Sequence, residues 1–196
     1  MPTPRVLAFS GSLRRGSFNT SLARVCLQGA RAAGAEGTLI ELREFPLPVF
    51  SEDLEREEGL PPSARKLKDL FLSHDALIIA SPEYNGSLTA ALKNAIDWVS
   101  RPATMADGRP EPMQACFDRK LAALVAASPG ALGGLRGLFH LRTILSGIRV
   151  TVLPDQLAVG KAHEAFNADG TLKDAKQHEA VLAIGAKLAN MTAKLM

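Results

Sequence analysis

The chain of 196 residues is long enough for one domain with a full core and short for two. Its hydrophobic share of 46% and charged share of 22% are those of an ordinary globular protein, which argues against disorder along most of the chain. The net charge of +3 is mild, and no block of Lys and Arg indicates a nucleic-acid surface, although a slightly basic protein attracts anionic ligands.

The start of the chain and its cysteines favour a cytoplasmic protein. An apolar run from Val6 to Phe9 follows the first residues without a basic leader, so we expect no secretory signal. No apolar run approaches the ~20 residues that span a bilayer. Cys26 and Cys116 match no zinc or redox spacing, which predicts two reduced thiols. The histidines lack partners at metal-ligand spacing, so no metal site is predicted.

Short apolar runs alternate with helical patterns, which is typical of an α/β protein with a parallel sheet. The pattern predicts five strands, at Arg5 to Phe9, Gly37 to Leu42, Ala76 to Ala80, Leu121 to Ala127 and Val150 to Leu153. The helices that follow them are predicted at about Asn19 to Ala33, from Pro61 or Pro62 to Ser73, at about Thr89 to Ser100, up to about Ser146, and at about Lys173 to Leu195. Three connections are predicted as an exposed loop that includes Glu52 to Glu58, a loop at Arg101 to Pro112 and a polar excursion at Gly160 to Gly170.

Five strands in alternation with five helices predict a doubly wound, three-layer sandwich that forms one domain over residues 1–196. The strand order 2-1-3-4-5 is one of two common orders and fits five strands. In either order, ligands bind beyond the carboxyl ends of the strands. Three loops leave those ends with suggestive sequences: Ser10 to Asn19, Ser81 to Ser87, and Ser128 to Gly134.

The first loop joins a buried strand to a helix, whose unpaired N–H groups favour a phosphate. The side chains of Ser12, Ser17 and Asn19 can donate further hydrogen bonds, and Arg14 adds positive charge. The alternative is an ordinary strand–helix turn in which Ser17 or Asn19 is the N-cap.

Two rival phosphate motifs are testable in this loop. Gly11 and Gly16 have the spacing of the two P-loop glycines, but Ser17 stands where the P-loop lysine is required, so ATP hydrolysis is not expected. The turn does not read Gly-x-Gly-x-x-Gly either, which argues against a dinucleotide-binding Rossmann site. A phosphate monoester surrounded by hydroxyl and amide donors fits better.

The other two loops favour a flat ligand close to the backbone. Tyr84, the only tyrosine, can pack on a ligand ring; alternatively it only covers the strand end, and Asn85-Gly86 is a turn pair. The third loop carries Gly130, Gly133 and Gly134, which permit close approach of a ligand. Its alternative is a flexible connection with Gly134 ahead of the helix.

These loops resemble the NAD(P)H-dependent FMN reductase family, which includes chromate, quinone and azo-dye reductases. The matching motifs are Gly11-Ser12-Leu13-Arg14 with Ser17 and Asn19, Ser81-Pro82-Glu83-Tyr84-Asn85-Gly86-Ser87 continued by Leu92-Lys93-Asn94-Ala95-Ile96-Asp97-Trp98, and Ser128-Pro129-Gly130 with Gly133-Gly134. The resemblance implies a flavodoxin-like fold with FMN as cofactor and NADPH or NADH as reductant.

The resemblance also implies which residues bind the flavin. The loop residues Ser10, Ser12, Arg14, Ser17, Phe18 and Asn19 would hold the phosphate, Pro82, Glu83, Tyr84, Asn85 and Gly86 would flank the ring, and Ser128 with Gly130 would close the other side. The implied reaction is ping-pong hydride transfer to a small acceptor, with no catalytic residue of the protein itself. A homodimer or homotetramer is implied, with the contact near Asn94 to Arg101, where Trp98 is either core or interface.

Two other function classes stay open. A flavodoxin-type electron carrier would bind FMN without direct NAD(P)H oxidation, although such carriers are typically acidic. A cofactor-free regulatory module would keep the fold and lose the flavin. The acceptor, the choice between NADPH and NADH, and the roles of Gln114 to Lys120 and Gly160 to Gly170 are open as well.

Overall fold

The computed structural model describes residues 2–103, 108–112 and 114–196. Within these residues, five strands form one parallel sheet in the order β2-β1-β3-β4-β5. The strands are β1 (Arg5–Ser10), β2 (Glu36–Glu41), β3 (Ala76–Ala80), β4 (Leu121–Ala127) and β5 (Thr151–Val159). The predicted strand order is thus confirmed. Because all strands run the same way, their carboxyl ends lie at one edge of the sheet.

Helices cover both faces of this sheet. Their bounds are α1 (Phe18–Ala32), α2 (Glu52–Glu58), α3 (Pro62–Ser73), α4 (Ala90–Ser100), α5 (Leu135–Gly147), α6 (Ala162–Ala165) and α7 (Ala175–Leu195), with a 3₁₀ turn at Leu42–Glu44. Side chains alternate along β1, so Val6 and Ala8 join a core with α1 and α7, whereas Leu7 and Phe9 join a core with α3, α4 and α5. The three-layer sandwich is confirmed.

Helices α1 and α7 cross at two glycines. A Cβ atom on Gly185 would lie 1.8 Å from the carbonyl oxygen of Cys26, and one on Gly29 would lie 2.0 Å from that of Leu182. Real Cβ atoms cannot approach so closely, so only glycine permits this backbone contact. The first and last helices are therefore in direct backbone contact.

The predicted exposed loop at Glu52 to Glu58 is wrong, because these residues form α2. Ser51 is its N-cap and accepts a hydrogen bond from the Leu54 N–H at 3.5 Å. Acidic residues in the first turn, including Glu52 and Asp53, interact favourably with the positive helix end. The helix has no buried residue, so it lacks the apolar stripe by which the other helices were predicted.

The last strand was predicted too short. β5 continues past Leu153 to Val159, and its register against β4 shifts between Ala122 and Leu124. Pro154 lies in this irregular stretch, where β5 is the edge strand and a missing N–H is tolerated. The predicted polar excursion also contains the short helix α6.

Several remaining predictions are settled by burial. Trp98 is fully buried, and its indole N–H donates to the Pro48 carbonyl at 2.8 Å, so it is a core residue. Cys26 and Cys116 are buried free thiols.

In the predicted loop Arg101 to Pro112, residues 104–107 lie outside the described residues. None of the helices in the described part of the chain has the length and apolar character needed to cross a bilayer.

Candidate active site

One open cleft of about 220 Å³ lies where the three loops leave the carboxyl edge of the sheet. Nine of the predicted cofactor-binding residues line it: Ser12, Arg14, Ser17, Phe18, Asn19, Pro82, Glu83, Tyr84 and Ser128. The set spans more than a hundred positions of the chain, from Ser12 to Ser128, and the parallel sheet brings its three loops together. The cleft is therefore our candidate site.

The first loop presents serine hydroxyls in a fixed arrangement. The oxygen of Ser10 accepts from the Ser12 N–H at 3.1 Å, that of Ser12 accepts from the Arg14 N–H at 3.1 Å, and that of Ser17 accepts from the Asn19 N–H at 3.3 Å. Each oxygen acts as an acceptor in these contacts, which leaves the hydroxyl proton able to donate to a ligand. Ser17 is also the N-cap of α1, as the alternative interpretation predicted.

Arg14 supplies positive charge at the same end of the cleft. Its guanidinium carbon lies 5.2 Å from the centroid of the Phe18 ring, within the range of a cation–π contact. Phe18 is the first residue of α1, so charge and helix N-terminus lie side by side. Both features favour an anion such as a phosphate monoester.

Asn19 has a structural role in the described structure. Its side-chain amide donates to the Ala127 carbonyl at 2.7 Å, and its side-chain oxygen accepts from the Ala127 N–H at 2.9 Å. This paired contact fastens the start of α1 to the end of β4. Asn19 thus holds the cleft's two walls together while lining it.

The second loop carries an exposed aromatic ring on a tight turn. Tyr84 and Ser87 form an antiparallel bridge, and Asn85 and Gly86 between them have φ values of 51° and 82°. Two consecutive positive φ angles are those of a type I′ turn, which favours Asn-Gly. Tyr84 is 58% exposed, so its ring is accessible to a flat ligand.

Glu83 directs its carboxylate at helix α5 and not into the loop. It accepts from the backbone N–H groups of Arg136 and Gly137 at 3.0 and 3.2 Å, and from the Arg136 guanidinium. Burial raises the pKa of this carboxyl, but the hydrogen bonds from Arg136 and Gly137 outweigh it and hold the pKa below its usual value of 4.5. Glu83 thereby fixes the second loop to the start of α5.

The third loop closes the cleft through Ser128, whose oxygen accepts from the Gly130 N–H at 3.4 Å. Gly133 has a φ of 64°, and a Cβ there would lie 2.7 Å from the backbone at Val159. This glycine is therefore required for packing of the loop against the end of β5. Gly134 is the N-cap of α5 and so stands directly ahead of this helix.

The remaining predicted residues lie outside the cleft lining of the described chain: Ser10, Asn85, Gly86 and Gly130. Ser10 is joined to the lining residue Ser12 by a hydrogen bond, and Asn85 and Gly86 form the turn that follows Tyr84. Two further lining residues, Ala127 and Pro129, were not predicted. Only their place in the chain could have indicated that they line the cleft, because both are next to Ser128 at the carboxyl end of β4.

The cleft fits a ligand with a phosphate at one end and a flat ring at the other. The first loop carries the hydroxyl donors and Arg14 and leads into the N-terminus of α1, and the second loop carries the Tyr84 ring. In the described residues, no group of three or more His, Cys, Asp or Glu side chains is placed to hold a metal ion. The hydroxyl donors, the positive charge and the exposed ring suit a phosphate monoester that carries a flat ring, as FMN does.

Comparison with known proteins gives the same result. A family model described as NADPH-dependent FMN reductase matches residues 4–164. An NAD(P)H-dependent FMN reductase from Pseudomonas aeruginosa is 38% identical over 179 residues, which cover 90% of this chain and 89% of the relative. An NADPH:quinone oxidoreductase from Arabidopsis thaliana is 33% identical over 99% of this chain and 94% of the relative.

A solved structure agrees with these sequences. The flavoenzyme NAD(P)H:(acceptor) oxidoreductase from Paracoccus denitrificans superposes with a TM-score of 0.77 at 28% identity, over 98% of each chain. The flavodoxin-like fold is thus confirmed, and with it the predicted oxidoreductase class with FMN and NAD(P)H. The chain belongs to the NADPH-dependent FMN reductase family.

Proposed function

We propose that the chain, folded as a single cytoplasmic domain, uses NAD(P)H to reduce FMN held in the cleft and passes two electrons to a small acceptor. The proposed acceptors are a quinone, an azo compound, chromate or a flavin, and turnover is ping-pong. The observation that carries the proposal is that nine predicted flavin-binding residues, from three loops, line one cleft.

The roles of the residues follow from their contacts. Ser12 and Ser17 would donate hydroxyl hydrogen bonds to the phosphate, and Arg14 would neutralise part of its charge. Tyr84 would orient the ring, and the N–H groups of the adjoining loops would stabilise negative charge on its polar edge. Bound FMN would supply the chemistry by accepting a hydride and giving up two electrons. The chain needs no acid or nucleophile for this.

A quinone is the first acceptor to assay. Relatives from Arabidopsis thaliana and Escherichia coli are named NADPH:quinone oxidoreductase and quinone reductase, and the second is 37% identical over 72% of this chain. A quinone is flat, as a flavin ring is, and the exposed Tyr84 ring is available for packing on a flat ring. Activity with an azo dye and chromate but not with quinones would contradict this choice.

The test is an anaerobic visible spectrum of the protein with FMN, before and after NADPH is added. We expect FMN to bind and its visible absorbance to fall promptly. Flavin that binds without being reduced by NADPH or NADH would favour the electron carrier. No FMN binding would favour a cofactor-free module and contradict the proposal.

We also propose a homodimer or homotetramer, with the contact near Asn94 to Arg101. The supporting observation is an apolar pocket of about 320 Å³ beside this helix, lined by Leu13, Phe45, Leu47, Ala91 and Ala95 among others. The molar mass in solution, measured by light scattering, tests this. A mass of 20.9 kDa, that of one chain, would contradict it.

A further inference from the structure

The segment between α6 and α7 folds as a small hairpin, residues 166–172. Phe166 and Leu172 form an antiparallel bridge, and the Asn167 N–H donates to the Thr171 carbonyl at 2.8 Å. The Asp169 carboxylate accepts from both the N–H and the hydroxyl of Thr171. Leu172 is buried and anchors the hairpin in the core. The 166–172 hairpin begins just beyond residues 4–164, which the family model matches.

This hairpin lies against the start of α1. The Phe166 and Phe18 rings are nearly parallel, with an angle of 14° between them and 5.6 Å between their centroids. At the other end of the hairpin, a Cβ on Gly170 would lie 3.3 Å from the Ser21 hydroxyl oxygen. The hairpin therefore contacts the first two turns of α1.

Phe18 connects the hairpin to Arg14. The exposed guanidinium of Arg14 lies against the Phe18 ring at 5.2 Å, whereas its hydrogen bond to the Arg15 carbonyl is long, at 3.4 Å. The ring is therefore the main support of this cation. Arg14 and Phe18 line the cleft, whereas Phe166 is not among the described residues that line it.

We infer that Phe166 is a positioning residue, which fixes the Phe18 ring and through it holds Arg14 for a phosphate monoester. This inference rests on the proposed function. The phosphate has two candidate sources, the 5′-phosphate of FMN and the 2′-phosphate of NADPH, and the experiment separates them. Phe166 acts without touching the ligand, so its removal should weaken only the phosphate contribution to binding.

The test compares ligands that differ by one phosphate. In Phe166→Leu, which keeps an apolar side chain against the core, we expect the FMN dissociation constant to rise about fivefold, the equivalent of about 1 kcal/mol, while that of riboflavin stays unchanged. Phe166→Tyr retains the ring and should restore the wild-type ratio. If instead the KM ratio of NADPH to NADH rises and the FMN-to-riboflavin ratio does not, the inference holds and the phosphate is that of NADPH.

A double-mutant cycle tests whether Phe166 acts through Arg14. In an Arg14→Gln background, Phe166→Leu should cause no further loss of affinity for the ligand, FMN or NADPH, that Phe166→Leu alone weakens. Phe139→Leu, which alters an exposed phenylalanine on α5, is the matched control. Equal losses for FMN and riboflavin, additive effects in the cycle, or unchanged ratios for both ligand pairs would overturn the inference. Failure of the unaltered protein to bind FMN would overturn the proposed function itself, and the inference with it.

Discussion

Tyr84 is the exposed ring of the cleft, and its side chain is available for stacking. We expect Tyr84→Ala to weaken FMN binding about tenfold or to slow turnover, because a stacked aromatic pair contributes about 1 kcal/mol beyond its buried area. Quenching of flavin fluorescence measures the affinity, and steady-state NADPH oxidation measures the rate.

Tyr84→Phe is the matched control for this prediction. It keeps the ring and removes only the hydroxyl, so FMN affinity should stay close to that of the wild type. An unchanged FMN affinity and rate in Tyr84→Ala would exclude the ring from the site.

The two thiols should be inert in the native protein. Burial raises the pKa of Cys26 to about 12 and that of Cys116 to about 11, so almost no reactive thiolate exists near neutral pH. We expect no labelling by a thiol reagent in native buffer and two labelled thiols in denaturant, counted by absorbance or mass. Fast labelling of one thiol before unfolding would contradict the burial.

The structure assigns two predicted flavin ligands, Asn19 and Glu83, to contacts that no local pattern shows. Asn19 pairs with Ala127, which is 108 positions away, and Glu83 pairs with Arg136, which is 53 positions away. A loop motif indicates which residues reach the cleft. It does not indicate the direction of each side chain, because that depends on partners from distant elements.

At the level of elements, Glu83 joins the second loop to α5. Glu83→Gln should lower the free energy of unfolding by about 2 kcal/mol, because it weakens a charged helix cap and an ion pair with Arg136. Urea denaturation near neutral pH measures this change. Equal unfolding free energies for both proteins would show that the contact is not stabilising.

The same carboxyl predicts a dependence on pH. Its folded pKa lies below the usual 4.5, so its contribution is fully present above pH 4.5 and is lost as the pH falls through the folded pKa. The difference in unfolding free energy between wild type and Glu83→Gln should therefore shrink in acid. Urea denaturation repeated at about pH 3 measures it, and a difference that grows in acid would reverse the assigned sign.

The crossing of α1 and α7 gives a prediction about packing. Gly185→Ala should destabilise the protein by about 3 kcal/mol or more, because its methyl group would overlap the Cys26 carbonyl. Gly147→Ala, near the end of α5 with open space around its Cα, should leave stability unchanged or slightly raised. Thermal unfolding of both variants checks this, and equal midpoints would contradict the close crossing.

Elements with strong patterns were predictable from the sequence, and elements without them were not. β3 and β4 are continuous apolar runs buried on both faces, and their predicted bounds are those observed. α2 has no buried face, so its sequence shows no helical stripe. The second half of β5 follows Pro154, which ordinarily ends a strand, and only its edge position permits the strand to continue.

Over the whole molecule, the predicted single domain can be tested through Trp98, the only tryptophan. It is fully buried and lies edge-on to Phe50, with 5.0 Å between the ring centroids. Its fluorescence therefore reports on the core beside α4. We expect this signal and far-ultraviolet circular dichroism to change together in one cooperative transition. Two separate transitions would show that the chain unfolds as more than one unit.

The close contact of the first and last helices has a consequence for synthesis on the ribosome. A chain emerges from its N-terminal end, yet α1 can complete its packing only when α7 brings Gly185 to the Cys26 carbonyl and Leu182 to Gly29. The nascent chain must therefore carry the side of α1 that packs on α7 uncovered until α7 leaves the ribosome. The first loop joins β1 to α1, so it would gain the full support of its helix only after α7 has emerged.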